Sequence, residues 1–530
     1  MQHFMQLMPP QTVRPYVKRL DSALVDAIHS ATGLYFEDMQ DIFGEVEQDI
    51  NLRRFRGPKR FYGSGIRVQE DVCGAAYVGG LLMTLPRMID SKDKDGVVSP
   101  GFMTQLEPWL GAGSFDAGNE STRFNHLLLQ EECPWGGVLE GLWDGFRGEC
   151  SSGGVLPEEG IFSVPCESAG YFDDAVVEKV QREITRAREE VRFSQLGEDF
   201  KELSWEDERR IAFKDVKPES TKFVSSLPIR GEVIGNTEFH IMWAMYMGEK
   251  CVLLEGHEGK GGGLVDGYGH KLAASNKLPG GGRTKWHDEV KWEIDDWGRR
   301  CGVEITTEVY GLFAAAINQS EELNQMSVRK RQGLVPDFML KLTRNIRTLA
   351  ELKTIAQCKT WYTKAAVTRK RGGAVEKRAK KLDKEASKKA RSIDIKYNGL
   401  NPQDPGMGPV QARLESFGRV RSFVAGPRGG LSADVHEFIN GVAETGAERM
   451  WRRMGARSPV EAKGVIKERV TRSLAITAFR GYARLIAERL GIALGDGRKA
   501  YARRAYARDE MRDWSEEYER QYGPCGRCGG

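Results

Sequence analysis

Two short stretches carry the pattern that decides the fold: GLVPDFML (residues 333–340) and LAELKTI (residues 349–355). Both alternate and are rich in strand-forming residues, and the polar residues 343–347 lie between them, so we expect a β-hairpin. Successive strand side chains point to opposite faces, which places Glu351 and Lys353 on one face. Residues paired across an antiparallel hairpin share a face. Asp337 therefore joins Glu351 and Lys353 if the register places it opposite one of them, which requires an odd number of residues in the loop.

Such a trio has a chemical use. Two carboxylates held close together repel each other unless a hard cation lies between them, and Mg²⁺ accepts oxygen ligands of this kind while keeping several waters. The ion lowers the pKa of a bound water and neutralises charge in an in-line displacement at phosphorus. We therefore expect phosphodiester hydrolysis with Mg²⁺ or Mn²⁺, with Asp337 and Glu351 as metal ligands. Lys353 would stabilise the attacking hydroxide or the phosphorane.

The same residues resemble the PD-(D/E)xK, or restriction-endonuclease-like, superfamily. Pro336-Asp337 gives the first half of its signature and Glu351-Leu352-Lys353 the second. The resemblance implies that Asp337 and Glu351 hold the metal and that Lys353 assists the nucleophile. The alternative is an ordinary alternating surface hairpin whose match to the signature is accidental.

An amphipathic helix is predicted upstream, over residues 284–297, with Thr284 as its N-cap. Glu293 falls in the middle of its apolar stripe, where a carboxylate is costly unless it is paired or bound to metal. Nucleases that this chain resembles often carry an accessory acid on the helix before the first strand, so Glu293 is a candidate catalytic residue. The alternative is that the Glu293 side chain extends its carboxylate to solvent or pairs with an arginine. Residues 303–310 (VEITTEVY) then alternate like the first strand of the sheet.

A narrower resemblance runs from Asp266 through His270 to Asp288. It is similar to the linker of non-LTR retrotransposon reverse-transcriptase-type reading frames, in which a Cys/His knuckle precedes a glycine-rich turn and the endonuclease. The expected cysteines are missing around His270, which argues against a zinc site there. This resemblance, over about residues 251–440, implies descent from a mobile element.

Charge is distributed unevenly along the 530 residues. Residues 1–250 hold 27 Lys/Arg against 41 Asp/Glu (net −14), and the remainder holds 52 against 34 (net +18). The asymmetry predicts a polyanion-binding C-terminal half and an acidic N-terminal half that either binds a protein partner or masks the basic half of its own chain. Nine scattered cysteines are typical of a reducing compartment, and no stretch is long and apolar enough to cross a bilayer. We expect an intracellular, soluble protein, nuclear in a eukaryote, with no membrane partner.

A basic segment follows the hairpin. Residues 364–396 carry thirteen Lys/Arg against four acids, concentrated on a predicted helix over residues 374–391. This helix is the predicted contact with the DNA backbone; its candidate binding residues are Lys377, Arg378, Lys380, Lys381, Lys388 and Lys389. A solvated charged helix or a disordered arm is the alternative.

Four segments are predicted from these patterns: an acidic N-terminal α+β domain (1–230), a glycine-rich linker resembling a degenerate zinc knuckle (231–282), a nuclease-like domain (283–454) and a basic helical C-terminal extension (455–530). Residues 418–425 alternate like a further strand, Ser432 is a predicted helix cap, and Ser458 opens a capping box for a helix up to Gly491. Cys525 and Cys528 have metal-ligand spacing but lack partners nearby. The expected fold class is α/β, with a restriction-endonuclease-like core of a mixed central sheet flanked by helices.

The predicted function is that of a Mg²⁺-dependent DNA endonuclease derived from a mobile element. One alternative is a catalytically inactive relative that still binds DNA or another nucleic acid. The other is a structural or partner-binding protein with an accidental motif match. The first two predict salt-sensitive nucleic-acid binding, and the endonuclease alone predicts nicking.

Overall fold

The computed structural model describes residues 10–34, 39–40, 46–47, 50–66, 195–225, 234–257, 265–275, 281–317, 335–341 and 347–491, with isolated positions between 69 and 193. The chain divides into two compact units, Met1–Ala31 with Tyr35–Glu202 and Thr32–Leu34 with Leu203–Gly530.

The described part of the first unit contains helices and a small antiparallel sheet. Its elements are α1 (Pro10–Thr32, whose last residue belongs to the second unit), β1 (Met39–Gln40), β2 (Val46–Glu47), α2 (Ile50–Phe55), a 3₁₀ turn (Lys59–Phe61) and α3 (Leu196–Glu202).

The second unit contains a four-stranded sheet and the longer helices. Its helices are α4 (Glu208–Asp215), α5 (Asn236–Met247), α6 (His270–Ala274), α7 (Gly282–Cys301), α8 (Lys364–Arg369), α9 (Gly373–Tyr397), α10 (Pro409–Glu415), α11 (Ala433–Met450) and α12 (Pro459–Leu490). Its strands are β3 (Glu304–Thr307), β4 (Phe338–Lys341), β5 (Arg347–Thr354) and β6 (Arg421–Ala425), and 3₁₀ turns cover Pro218–Ser225 and Ala314–Ala316.

The strands lie in the order β3-β4-β5-β6. β4 is antiparallel to both β3 and β5, whereas β5 and β6 are parallel and are connected through α8, α9 and α10. Lys341 pairs with Arg347, which leaves the five residues 342–346 between the strands of the hairpin. The hairpin and the strand predicted over residues 303–310 are thus both present, the strand in shortened form.

The two faces of this sheet are covered by different helices. On one face Leu349 packs with Ala390 and Ile393 of α9 and with α10. On the other face, the rings of Phe338, Phe423 and Phe438 form a chain from β4 through β6 to α11. α7 joins α11 on that face, where Gly298 lies so close to Ile305 that a Cβ atom would meet it at 2.0 Å. The result is a layered α/β arrangement with the hairpin at its centre.

α12 is the most buried of the long helices and packs against α5, α7 and α11. Its N-terminus agrees with the prediction, because the Ser458 side chain accepts a hydrogen bond from the Glu461 N–H. Nearly all of its residues from 473 to 487 are buried, as expected of a helix that is enclosed on all sides. Gly481 allows α12 to lie close against α7, because a Cβ atom at this position would be 2.3 Å from the Trp286 ring.

The broad α/β class is therefore confirmed by the mixed sheet and its helices. α7 begins at Gly282 rather than after Thr284, because Gly281 adopts a left-handed conformation (φ 61°) and forms the cap. The domain limits at 230, 282 and 454 stay predictions, and Cys525 and Cys528 lie outside the described residues. None of the described helices has the length and hydropathy needed to cross a bilayer.

Candidate functional site

Asp337, Glu351 and Lys353 come together at the hairpin, as the sequence predicted. Because Phe338 pairs with Ala350, extension of the register by one residue places Asp337 opposite Glu351. The Lys353 ammonium lies 2.6 Å from Glu351 Oε1 and 3.7 Å from Asp337 Oδ2. The other face of β5 is held in the core by Ala350 and Leu352, which are fully buried. The two acids therefore stand on a rigid strand pair with one cation between them.

His287 on α7 is a fourth member of this cluster, to which the sequence analysis gave no role. Its Nε2 lies 3.2 Å from the Leu352 carbonyl oxygen and 3.7 Å from Asp337 Oδ2, and its Nδ1 lies 3.1 Å from Asp288 Oδ1. Both ring nitrogens thus face oxygen acceptors, an arrangement that favours the doubly protonated ring. The linker resemblance, which includes His287 at the helix start, was the signal that could have identified it.

The electrostatics of the acid pair are asymmetric. Burial acts to raise the pKa of Asp337, but its interactions with His287 and Lys353 outweigh burial and lower the pKa. For Glu351, burial and repulsion by Asp337 raise the pKa in spite of Lys353. Burial acts to lower the pKa of His287, whereas Asp337 and Asp288 raise it, with a net increase. Asp337 is therefore the carboxylate that stays ionised most readily, and Glu351 is the one that accepts a proton first.

Asp337 is also fixed through its own backbone and carboxylate. Its Oδ2 accepts a hydrogen bond of 2.8 Å from the Leu352 N–H, and its carbonyl accepts one of 3.0 Å from the Glu308 N–H. Glu308 has a positive φ of 49°, which is uncommon for a residue with a side chain. Lys291 on α7, one turn beyond His287, binds the Glu308 carboxylate at 2.7 Å. The Lys291–Glu308 ion pair thereby holds the backbone that binds the Asp337 carbonyl.

Glu293 lies elsewhere. Its carboxylate accepts hydrogen bonds from the Ser473 hydroxyl of α12 and from the Trp297 indole N–H. At 100° per residue, Glu293 is rotated by about 240° from His287, which contacts the acid pair. The expected cost of a carboxylate on an apolar face is real, but the hydrogen bonds to Ser473 and Trp297 offset it. The structure therefore does not bring Glu293 to the hairpin.

The basic candidates lie on α9, and five of the six are exposed: Lys377, Lys380, Lys381, Lys388 and Lys389. Lys389 is close enough to the acid pair for its charge to lower the pKa of Glu351. Arg378 differs, because it is only 8% exposed and forms an ion pair with Glu385 at 2.9 Å. The exposed face of α9 therefore presents lysines, whereas Arg378 belongs to the packing beneath it.

His270 of the predicted linker is held by protein groups. Its Nε2 lies 3.1 Å from Glu208 Oε1, and its Nδ1 lies 3.3 Å from the Tyr482 hydroxyl of α12. Its ring stacks on Tyr268. Where a zinc knuckle would have thiolates, His270 thus has a carboxylate and a phenol.

A buried arginine, Arg428, links α4, α5 and the segment that follows β5. Arg428 is fully buried; its Nη1 donates to Gln357 Oε1 at 2.7 Å and lies 3.3 Å from Asp215 Oδ2. Its Nε donates to the Met245 carbonyl at 2.7 Å, and the Tyr362 hydroxyl donates to the same Asp215 oxygen. This network fixes the chain just beyond the end of β5.

Among the residues that the structure describes, no three His, Cys, Asp or Glu side chains are grouped so that they could hold a metal ion. The hairpin offers two carboxylates, Asp337 and Glu351, and the Leu352 carbonyl oxygen, which His287 Nε2 approaches to 3.2 Å. No protein-family model matches the chain, and no curated protein is significantly similar to it.

Proposed function

We propose that the chain is a metal-dependent endonuclease that hydrolyses DNA phosphodiester bonds on a restriction-endonuclease-like core. The observation that carries the proposal is the shared face of Asp337 and Glu351, with the Lys353 ammonium within 3.7 Å of both. The surrounding fold supports it: a helix precedes β3, the hairpin carries the acids, and α9 lies on the connection from β5 to β6. Descent from a mobile element is proposed from the linker resemblance.

The oxygen donors fit a hard divalent cation. Asp337, Glu351 and the Leu352 carbonyl oxygen would hold Mg²⁺ or Mn²⁺, both of which prefer oxygen ligands and keep several waters. When bound, the ion would lower the pKa of a coordinated water molecule and stabilise the negative charge on the phosphate. Asp337 suits this role because its depressed pKa keeps it ionised.

The remaining residues act on charge and protons. Lys353 can orient a water for attack and hold the negative charge that develops on phosphate oxygens, because its ammonium reaches both acids. Glu351 is the second metal ligand, and the Lys353 ammonium at 2.6 Å orients its carboxylate. The exposed lysines of α9 supply the positive surface for the DNA backbone, with Lys389 nearest to the acids.

One observation favours the second candidate, a catalytically inactive nucleic-acid-binding relative. His287 lies 3.2 Å from the Leu352 carbonyl and 3.7 Å from Asp337. The Leu352 carbonyl and the Asp337 carboxylate, both proposed metal ligands, thus already have the His287 ring as a neighbour, which would compete with a metal ion for them. Nicking activity separates the two candidates, since both bind DNA.

Nicking of supercoiled plasmid tests the proposal, with wild-type chain beside Asp337→Ala and Lys353→Ala, in Mg²⁺ or Mn²⁺ and in EDTA. We expect nicking by the wild type with metal only, loss in both variants, and unchanged DNA affinity in Lys353→Ala within about threefold. Binding without nicking under all metal conditions would favour the inactive relative. Equal nicking by all three proteins would refute the role of the hairpin.

A further inference from the structure

A cavity of about 320 Å³ opens where β5 ends, directly after Lys353. It is bounded by the end of β5, the start of α7 and the segment that leads to α8. Its lining residues are Ala274, Arg283, Trp286, Thr354, Ile355, Ala356, Cys358, Thr360 and Trp361. Its volume lies at the lower end of the ~300–1,000 Å³ range of small-molecule sites, which suits one flat ring system.

The lining of this cavity combines aromatic and aliphatic side chains with polar ones. Trp286, Ile355 and Ala356 are each less than 10% exposed and form the floor. Trp361 is half-buried at the mouth, and the hydroxyl groups of Thr354 and Thr360 lie at the edge. The guanidinium of Arg283, also in the lining, is engaged by the Ala273 and Ala274 carbonyls, and a nucleobase gains from an aromatic surface with a few hydrogen-bonding groups beside it.

Positive charge surrounds the mouth on the α9 side. The exposed Lys381 ammonium lies 5.3 Å from the centre of the Trp361 ring, and the buried Arg378 guanidinium, which is paired with Glu385, lies 5.0 Å from it. The Lys377 ammonium donates to the Thr360 carbonyl at 2.7 Å. A chain entering this cavity therefore passes a cationic rim, which fits a polyanion whose bases point inward.

The cavity and the acid pair share two structural elements at adjacent residues. On α7, Trp286 lines the cavity and His287 contacts Asp337. On β5, Thr354 lines the cavity and Lys353 contacts both acids. Lys353 and Thr354 are consecutive and point to opposite faces of β5, so the acid pair and the cavity flank the end of the same strand on its two sides.

We infer that this cavity holds a single unpaired nucleobase of the DNA strand, next to the phosphodiester that the hairpin attacks. The inference rests on the proposed function and names its substrate class: duplex DNA with a locally unpaired or extruded base. A base in Watson–Crick pairing is stacked within the duplex and cannot enter the cavity, so an unpaired base is favoured because extruding it costs least.

Binding measurements test the inference without cleavage. Full-length chain carrying Asp337→Asn is titrated, by fluorescence anisotropy, against two short duplexes that differ only in one unpaired adenine. Stacking of about 1–3 kcal/mol per base corresponds to about 5- to 140-fold tighter binding of the duplex with the unpaired adenine. Trp361→Leu is expected to remove this preference without weakening binding to the paired duplex, and Trp361→Phe is expected to retain most of it.

Two further variants serve as a matched control and as a second test of the cavity. Trp292→Leu changes a tryptophan that is 55% exposed on α7 and is expected to leave the preference intact. Thr360→Phe, at an exposed position on the rim, fills the cavity without changing the core and is expected to abolish the preference. Melting temperatures identify any variant that fails to fold.

The outcomes distinguish the two proposals. Absence of DNA binding by the parent chain would refute the proposed function and the cavity assignment with it. Equal affinity for both duplexes would overturn the cavity assignment alone. Displacement of the DNA by free deoxyadenosine monophosphate at a concentration similar to that of the DNA itself would indicate a small-molecule pocket and would also overturn it.

Discussion

Asp337→Asn should separate catalysis from stability. The substitution keeps the shape of the side chain and an oxygen that can accept the Leu352 N–H, now at 2.8 Å. It removes a charge that faces Lys353 and His287, each at 3.7 Å. It also relieves repulsion that raises the pKa of Glu351. Since Lys353 is 36% exposed, this ion pair contributes only ~0–1 kcal/mol, and we expect the free energy of unfolding to change by less than about 1 kcal/mol.

The nicking rate should respond to Asp337→Asn far more strongly than the free energy of unfolding does. A metal ion stabilises transition-state charge by several kcal/mol, and each 1.36 kcal/mol is about tenfold in rate. Loss of one of two carboxylate ligands should therefore lower the nicking rate by at least about 10²-fold. DNA affinity should stay equal or increase, because one negative charge facing the phosphates is removed.

Glu293→Gln is the matched control, a carboxylate-to-amide change in the same unit. Its carboxylate bonds to Ser473 and Trp297, and bonds to a charged acceptor are stronger than bonds to a neutral one. We expect a loss of about 1–2 kcal/mol of stability and an unchanged nicking rate. Urea unfolding and plasmid nicking on both variants measure the contrast. Full nicking by Asp337→Asn, or equal loss of nicking in Glu293→Gln, would refute the reasoning.

Three other experiments have defined outcomes. Arg428→Met should lower the free energy of unfolding by about 3–5 kcal/mol, because it leaves Asp215 without its buried partner; Lys341→Met, which breaks an exposed pair, should change it by ~0–1 kcal/mol in the same urea experiment. Lys388→Ala should reduce the slope of log affinity against log salt by about 0.9 if the side chain contacts one phosphate, and an unchanged slope would exclude that contact. Cys358 should be alkylated faster than Cys251 at mildly alkaline pH, since burial raises the pKa of Cys251 to about 11; peptide mapping should show that the unpaired-adenine duplex protects Cys358, and no protection would count against the cavity assignment.

The hairpin was predictable because its information is local. Alternation over residues 349–355 fixed which side chains share a face, and the odd number of residues between Lys341 and Arg347 brought Asp337 opposite Glu351. The cap at Ser458 and the strand ending at Ala425 were found for the same reason. Each depends on neighbours within a few positions along the chain.

Glu293 and α12 show where local information ends. The helical stripe identified Glu293 as buried, but the partner that satisfies it, Ser473, is 180 positions away. The apolar stripe of the helix after Ser458 predicted packing but not its partners, and the structure packs this helix against α7 and α11. His287 likewise acquires its contact with Leu352 only through tertiary packing. Periodicity identifies an apolar face, and it does not identify which element covers that face.

The contact between Gly481 and Trp286 has a consequence for mutational tolerance. A methyl group at position 481 would push the indole, and with it the first turns of α7 that carry His287. In a scan of random variants, position 481 should therefore be as intolerant of substitution as the hairpin acids, although it lies on a different element, α12. Alanine, ordinarily the mildest replacement in a helix, would be the informative one at that position.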